Sequence, residues 1–284
     1  MKRVATFAKT KKMRRIWLLG LVLLTVGLGG SSAFALDTMG PPAAELLHGQ
    51  FRGGVDYSFS SMDIKLIDGK WTEYFNSLYL DSGESLPLTL KDFEIHKAYA
   101  SLGYGIAENW EVFLRMGGTN AEFGDSIWGN SEKFDGSIDF AIGGGIKATF
   151  YEGDDLTIGG LFQANWSEFD GKLETPQWAS PDFVGIELME MQVALGITRP
   201  WTERVSVYGG PFAHFIYGEL DDTFSTLSGS GLLTSEYSWN IDKGPIYGGY
   251  IGARVKISED CSFNIEYQQS ADANAFGASL MLRY

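Results

Sequence analysis

The residues of this 284-residue chain that most readily invite an acid–base reading are its three histidines, His48, His96 and His214. A histidine acts as a catalyst when a carboxylate or nucleophile lies within reach and a third group orients it. His96 has Glu94 two residues away and no third partner in the local sequence. His214 is flanked on its own strand face by Tyr208 and Phe212. His214 fits a solvated or hydrogen-bonded structural histidine better than a catalytic one, and Glu94 and His96 are expected at a strand top, solvated above the hydrocarbon band. The chain has no Cys/His metal cluster, no phosphate-binding glycine loop, no Gly-x-Ser-x-Gly and no Ca²⁺ loop of EF-hand spacing. The expectation is therefore no enzyme, no cofactor and no catalytic residue. A hydrolase using His214 or His96 is the remotest of three readings.

The other reactive groups are charges, and a repeated pattern of alternation tells where they point. Phe51, Gly53, Val55, Tyr57 and Phe59 share one face of a strand; Arg52, Gly54, Asp56, Ser58 and Ser60 share the other. One face suits hydrocarbon and the other water. The pattern recurs over about residues 97–106, 110–117, 138–150, 156–167, 189–198, 204–217, 247–257, 262–268 and 276–284. These ten segments mostly approach the ~10 residues that a tilted membrane strand needs. Short connections at 107–109, 152–155, 200–203 and 258–260 alternate with long ones at about 61–92, 121–136, 169–185 and 219–245. That is the rhythm of a transmembrane, antiparallel, up-and-down β-barrel with short periplasmic turns, long outer loops and both termini periplasmic. Tyr104, Trp110, Phe150, Phe263 and Tyr284 fall at the expected periplasmic rim. Phe59, Trp166, Tyr217, Tyr247 and Phe276 fall at the outer rim, as two aromatic girdles at headgroup level.

By the same parity Arg52, Asp56, Lys97, Glu111, Arg115, Asp139, Lys147, Glu190, Arg204, His214, Arg254, Lys256, Glu266 and Arg283 face the lumen. Charges buried in a narrow barrel must pair. The favoured reading is a network that plugs and stiffens the lumen. The alternative is a charge filter in a narrow channel for ions or small solutes. Gly143–Gly145 and Gly248–Gly249 are expected to ease strand curvature.

Composition agrees. Residues 1–35 carry seven basic residues and no acidic one, an apolar stretch from Ile16 to Leu28, and Ala33-Phe34-Ala35. That is the layout of a secretory signal peptide, leaving 36–284 as the barrel domain. All 36 acidic but only 15 basic residues then remain, a net charge near −21, which excludes nucleic acid as a partner. A single cysteine allows no internal disulfide, so the chain needs another source of stability, and a closed sheet is one. The mean hydropathy of −0.07 fits a barrel, whose lipid-facing and lumen-facing residues alternate. The outer loops are acidic, suited to solvation and, more weakly, to cation-bridged contact with lipopolysaccharide.

The hairpin Leu102-Gly-Tyr-Gly-Ile-Ala-Glu-Asn-Trp-Glu-Val-Phe-Leu-Arg-Met116 resembles the repeating hairpin of small bacterial outer-membrane β-barrel proteins of the opacity-protein-like group. The terminal strand Gly277-Ala-Ser-Leu-Met-Leu-Arg-Tyr284 resembles the terminal signal of that superfamily. The resemblance implies residence among outer-membrane lipid and lipopolysaccharide, and recognition by the barrel-insertion machinery. It names a fold more than a role. Common members have eight strands, against ten here. Ten strands also resemble the omptin-type outer-membrane proteases, but the Asp pair and Asp/His pair those need are not matched.

Overall fold

The computed structural model describes residues 36–123, 134–173, 182–270 and 273–284. The targeting segment expected over 1–35 lies outside the described residues, as do 124–133 and 174–181 of the expected outer loops. The strands are β1 (Phe51–Phe75), β2 (Leu78–Ser85), β3 (Leu88–Ala107), β4 (Trp110–Phe123), β5 (Phe134–Gly136), β6 (Asp139–Glu152), β7 (Thr157–Leu173), β8 (Asp182–Pro200), β9 (Val205–Ser228), β10 (Gly231–Lys256), β11 (Cys261–Ser270) and β12 (Ala273–Arg283).

Every pairing is antiparallel, and the first strand meets the last. Arg52 lies opposite Arg283 and Ser61 opposite Asn274, so the sheet closes into a barrel. β2 and β3 follow one another along the same edge of β1. The break between them is at Leu86-Pro87, where proline cannot donate to a ladder. β5 and β6 likewise share the space between β4 and β7. The twelve segments therefore form ten staves among the described residues, the number that the alternation predicts. Phe51 and Tyr284 pair at one rim, here called the lower rim.

The barrel changes girth with height. The β11–β12 hairpin stops at Ser270–Ala273. Above it β1 crosses onto β10, with Leu66 opposite Ile241 and Phe75 opposite Leu233. The upper ring is thus β1, β3, β4, β5, β7, β8, β9 and β10. At about eight strands, side chains alone fill a barrel. The transfer coincides with a bulge between Ile67 and Lys70, where Asp68 takes a φ of 50°. Bulges bend and twist the strand that carries them. The β1–β2 hairpin turns on Asn76 and Ser77, both at positive φ, as a two-residue turn between twisted strands requires.

The regions read as long loops at 61–92 and 219–245 are mostly strand, because the alternation continues there with its polarity reversed. In β1, Asp56, Ser58 and Ser60 face inward below, and Met62, Ile64 and Leu66 face inward above. On the outside Val55, Tyr57 and Phe59 give way to Asp63 and Lys65. β8 repeats this: Glu190 and Gln192 are buried below, Leu188, Ile186 and Val184 above. Leu195, Val193 and Met189 are exposed below, with Glu187 above them. The lower wall has a charged interior and an apolar exterior. The upper wall has an apolar interior and a charged exterior.

Candidate functional site: the lumen and the segment inside it

The upper interior is a packed apolar layer. Phe93 lies 5.8 Å from Phe123 and 6.1 Å from Phe169 between ring centres, and Phe123 stacks on Phe134 at 4.6 Å. Leu66, Ile95, Leu188, Leu220 and Trp239 complete it, all fully buried. The expectation of a polar lumen therefore needs correcting for its upper half, where the interior is an ordinary hydrophobic core.

The lower interior holds the charges and an element that the alternation does not reveal. Residues 36–50 precede β1 and run up inside the barrel. At the lower rim the Gly49 N–H donates to the Gly105 carbonyl at 2.9 Å, and the Gly105 N–H donates to that of Gln50 at 3.0 Å. Higher up, Glu45 pairs with Arg52 at 3.0 Å and with Arg254. Arg52 also pairs with Glu111, which accepts from the Glu45 N–H at 3.1 Å. Lys147 donates to the carbonyls of Met39 and Pro41 at 2.9 and 2.8 Å. Glu266 accepts from the N–H groups of Met39 and Gly40, each at 2.9 Å. Near the apolar layer, Asp37 lies 3.0 Å from Arg115 and 3.4 Å from Lys97, and accepts from Asn165 at 2.6 Å. Lys97 pairs in turn with Glu190. Leu36 packs into the apolar cluster.

The wall is shaped to admit this segment. A Cβ at Gly105 would strike the backbone of Leu47, one at Gly159 that of Ala43, and one at Gly277 the side chain of Thr38. These glycines serve close approach of a second chain segment. Between segment and wall lie small voids, about 40 Å³ beside Thr38–Pro41 and about 80 Å³ beside Glu45 and Leu46, room for a few waters. Gly159→Val is expected to cost about 1–3 kcal/mol as overpacking and to loosen the segment. A glutamyl endopeptidase should then cut at Glu45 in the folded variant but not in the parent; equal resistance in both would refute the fit.

Of the residues placed in the lumen by parity, Arg52, Asp56, Lys97, Glu111, Arg115, Lys147, Glu190, His214, Arg254 and Glu266 do face inward. Asp139, Arg204, Lys256 and Arg283 do not join them. Asp139 accepts from the Ser137 hydroxyl and the Asp170 N–H at an exposed position. Arg204 is exposed in the turn before β9, and Lys256 is exposed at the end of β10. Arg283 lies 3.9 Å from Asp260 at the lower rim. Parity puts a side chain inside only where wall continues past it, and these four sit at or beyond strand ends.

The ten girdle aromatics all lie on the outer face. Phe51 and Tyr104 are 4.7 Å apart at the lower rim; Phe140 and Trp166 are 6.5 Å apart at the upper edge of the apolar belt. His96 belongs to that upper girdle. Its ring lies tilted against that of Phe59 at 4.7 Å, and its Nδ1 is 2.7 Å from the Tyr57 hydroxyl, so it lies within the belt's edge and not above it as expected. His214 is buried, its Nε2 3.5 Å from Glu190, too long for a good hydrogen bond. His48 is exposed at the lower rim, with its Nδ1 3.0 Å from the Ile106 carbonyl. Among the described residues no cluster of His, Cys, Asp and Glu could hold a metal ion. On the outer wall a cleft of about 520 Å³ lies where belt and charged collar meet, with Trp166, Met189 and Tyr217 along its apolar side and Glu187, Glu219 and Asp242 along its acidic side.

No protein-family model matches the sequence, and neither does any curated relative. Solved structures similar to it include the toluene transporter TbuX of Ralstonia pickettii, with 12% identity, a TM-score of 0.41, and coverage of 90% of this chain and 95% of that one. The outer membrane protein OprG of Pseudomonas aeruginosa is 9% identical, with a TM-score of 0.42 and coverage of 84% and 97%. The translocator domain of the autotransporter NalP from Neisseria meningitidis is 12% identical, with a TM-score of 0.41 and coverage of 99% and 97%. Similarity at this level assigns no role.

Proposed function

We propose that this protein is an integral β-barrel of the bacterial outer membrane, closed through its lumen, non-enzymatic, and serving a structural or surface-interaction role. The reversal of polarity along the strands carries the reading. An outer face bearing Leu114, Leu195, Ile197 and Phe150 in the open costs free energy in water and none in hydrocarbon. The same strands turn acidic outside and apolar inside above Phe59, Trp166 and Tyr217, as a wall leaving a membrane for water must. The lower rim, with its short turns, faces the periplasm in this reading. The acidic upper wall offers the contact surface.

The refolded chain from Leu36 onward is expected to show heat-modifiable gel mobility, to float with lipid vesicles and to leave a planar bilayer silent at both polarities. Folded protein that remains in the aqueous fraction would overturn the membrane reading. Discrete openings that change on Arg115→Ala would replace the closed barrel by a narrow channel. That second reading draws support from the lower seal, which is a separate segment held largely by polar contacts.

A further inference from the structure

Below the apolar layer the charges do not balance. The described interior there holds five cations, Arg52, Lys97, Arg115, Lys147 and Arg254. Against them stand six carboxylates, Asp37, Glu45, Asp56, Glu111, Glu190 and Glu266. Glu45, 23% exposed, is shared between Arg52 and Arg254, which leaves Lys97, Arg115 and Lys147 for the deeper carboxylates Asp37, Asp56, Glu190 and Glu266. Buried charges persist when they are paired, so one cation is missing at that depth. The deficit lies at the top of the network. Asp37 Oδ1, Asp56 Oδ1 and Glu190 Oε1 are buried and accept no hydrogen bond. Asp56 Oδ1 has Arg115 at 3.9 Å, whereas Asp37 and Glu190, 2% and 1% exposed, stand next to the apolar layer. His214 Nε2 lies 3.5 Å from Glu190 Oε1, within ion-pair range when the imidazole is protonated and too long for a good hydrogen bond.

The chain itself carries a candidate cation at this level. Leu36 is 1% exposed, packs against the apolar layer and is bonded directly to Asp37. It also follows Ala33-Phe34-Ala35, the small-x-small pattern of a cleavage site. We infer that the missing cation is the α-ammonium of Leu36, released by a peptidase that cuts the Ala35–Leu36 bond before the barrel closes. Water adds its hydroxyl to the Ala35 carbonyl as the C–N bond breaks. The proton of the new carboxyl group passes to the released amine, leaving a carboxylate on Ala35 and an ammonium on Leu36. The ammonium has three donors for the unsatisfied carboxylate oxygens and brings the buried network to neutrality. Processing then becomes a condition for the full stability of the barrel, because only a chain that begins at Leu36 carries this ammonium.

The test starts with the protein extracted from its membrane, whose intact mass and terminal sequence should show a start at Leu36; any other start overturns the inference. The chain beginning at Leu36 is then compared with the same chain whose terminal amine has been converted, while unfolded, to a ketone. That change removes the charge and adds no bulk. The ketone chain is expected to lose at least about tenfold in its folding equilibrium in urea titration. Glu190→Gln should restore most of the loss in the ketone chain and destabilise the amine chain. Equal stability of amine and ketone chains would overturn the inference. So would a loss that appears on His214→Gln and not in the ketone chain, since it would make His214 the missing cation. The inference rests on the lumen charges and not on the membrane reading, so a folded chain found in water would sink the second and leave this comparison valid.

Discussion

Lys97→Met is expected to destabilise the barrel by about 3–5 kcal/mol, the usual cost of removing one partner from a buried ion pair. Lys97 is 1% exposed and stands between Asp37, at 3.4 Å, and Glu190. Methionine keeps much of the volume and none of the charge, so two carboxylates are left in a dry interior. Combining it with Glu190→Gln should recover a large part of the loss, and a double-mutant cycle in urea would read the coupling directly. Arg283→Met is the control. It is 44% exposed and 3.9 Å from Asp260, and exposed pairs at such distances contribute about 0–1 kcal/mol. If Lys97→Met costs no more than the control, the network does not hold the inserted segment, and the closed-lumen reading loses its lower seal.

The contrast between Lys97 and Arg283 also marks how far the sequence could be read. Lys97 lies in mid-strand, flanked by paired residues on both sides, and there a period of two fixes which way a side chain points. Arg283 is the last residue of β12, Asp139 the first of β6, and Arg204 precedes β9. Parity predicts direction at these places but not what the side chain faces. The upper strands were hidden for a different reason. Met62, Ile64 and Leu66 continue the inward column of Asp56, Ser58 and Ser60 without a slip. A search for apolar residues on the outward column reads the reversal as the strand's end, although only the solvent changes. Residues 36–50 have no period at all, and Pro41-Pro42 offers neither helix nor strand. Their trace in the sequence is indirect. The wall's own inward charges comprise five cations and four carboxylates, and Asp37 and Glu45 are the anions that answer them. Gly105, Gly159 and Gly277, inward on three separate strands, are the space they occupy. Neither trace means anything until pairing places those residues around one cavity, and strand register is what a single sequence does not encode locally.

Phe93→Ala is expected to cost about 3–5 kcal/mol, through lost burial and a cavity that the closed ring of strands cannot collapse to fill. Phe93 is fully buried between Phe123 and Phe169, in a ring whose closure holds the surrounding backbone in place. The outward belt should respond to a different change. Leu114 is 68% exposed, so truncation there leaves no internal cavity, but Leu114→Arg puts a charge into hydrocarbon at a cost of about 2–4 kcal/mol near the bilayer midplane. Lys65→Leu, on the outward column of the upper wall, should be close to neutral if, as proposed, that wall stands in water. The three variants separate two pictures of the chain. If the polarity reversal marks the membrane's edge, Phe93→Ala and Leu114→Arg lower the urea midpoint in vesicles and Lys65→Leu does not. If the whole wall lies in water, Leu114→Arg becomes harmless or improves solubility, while Phe93→Ala stays costly. Conductance adds a further discrimination, since the apolar layer and the inserted segment close the lumen in series. Phe93→Ala opens a void in the first and leaves the second in place, so the bilayer should stay silent. Current through that variant alone would mean that the segment fills the lower barrel without sealing it.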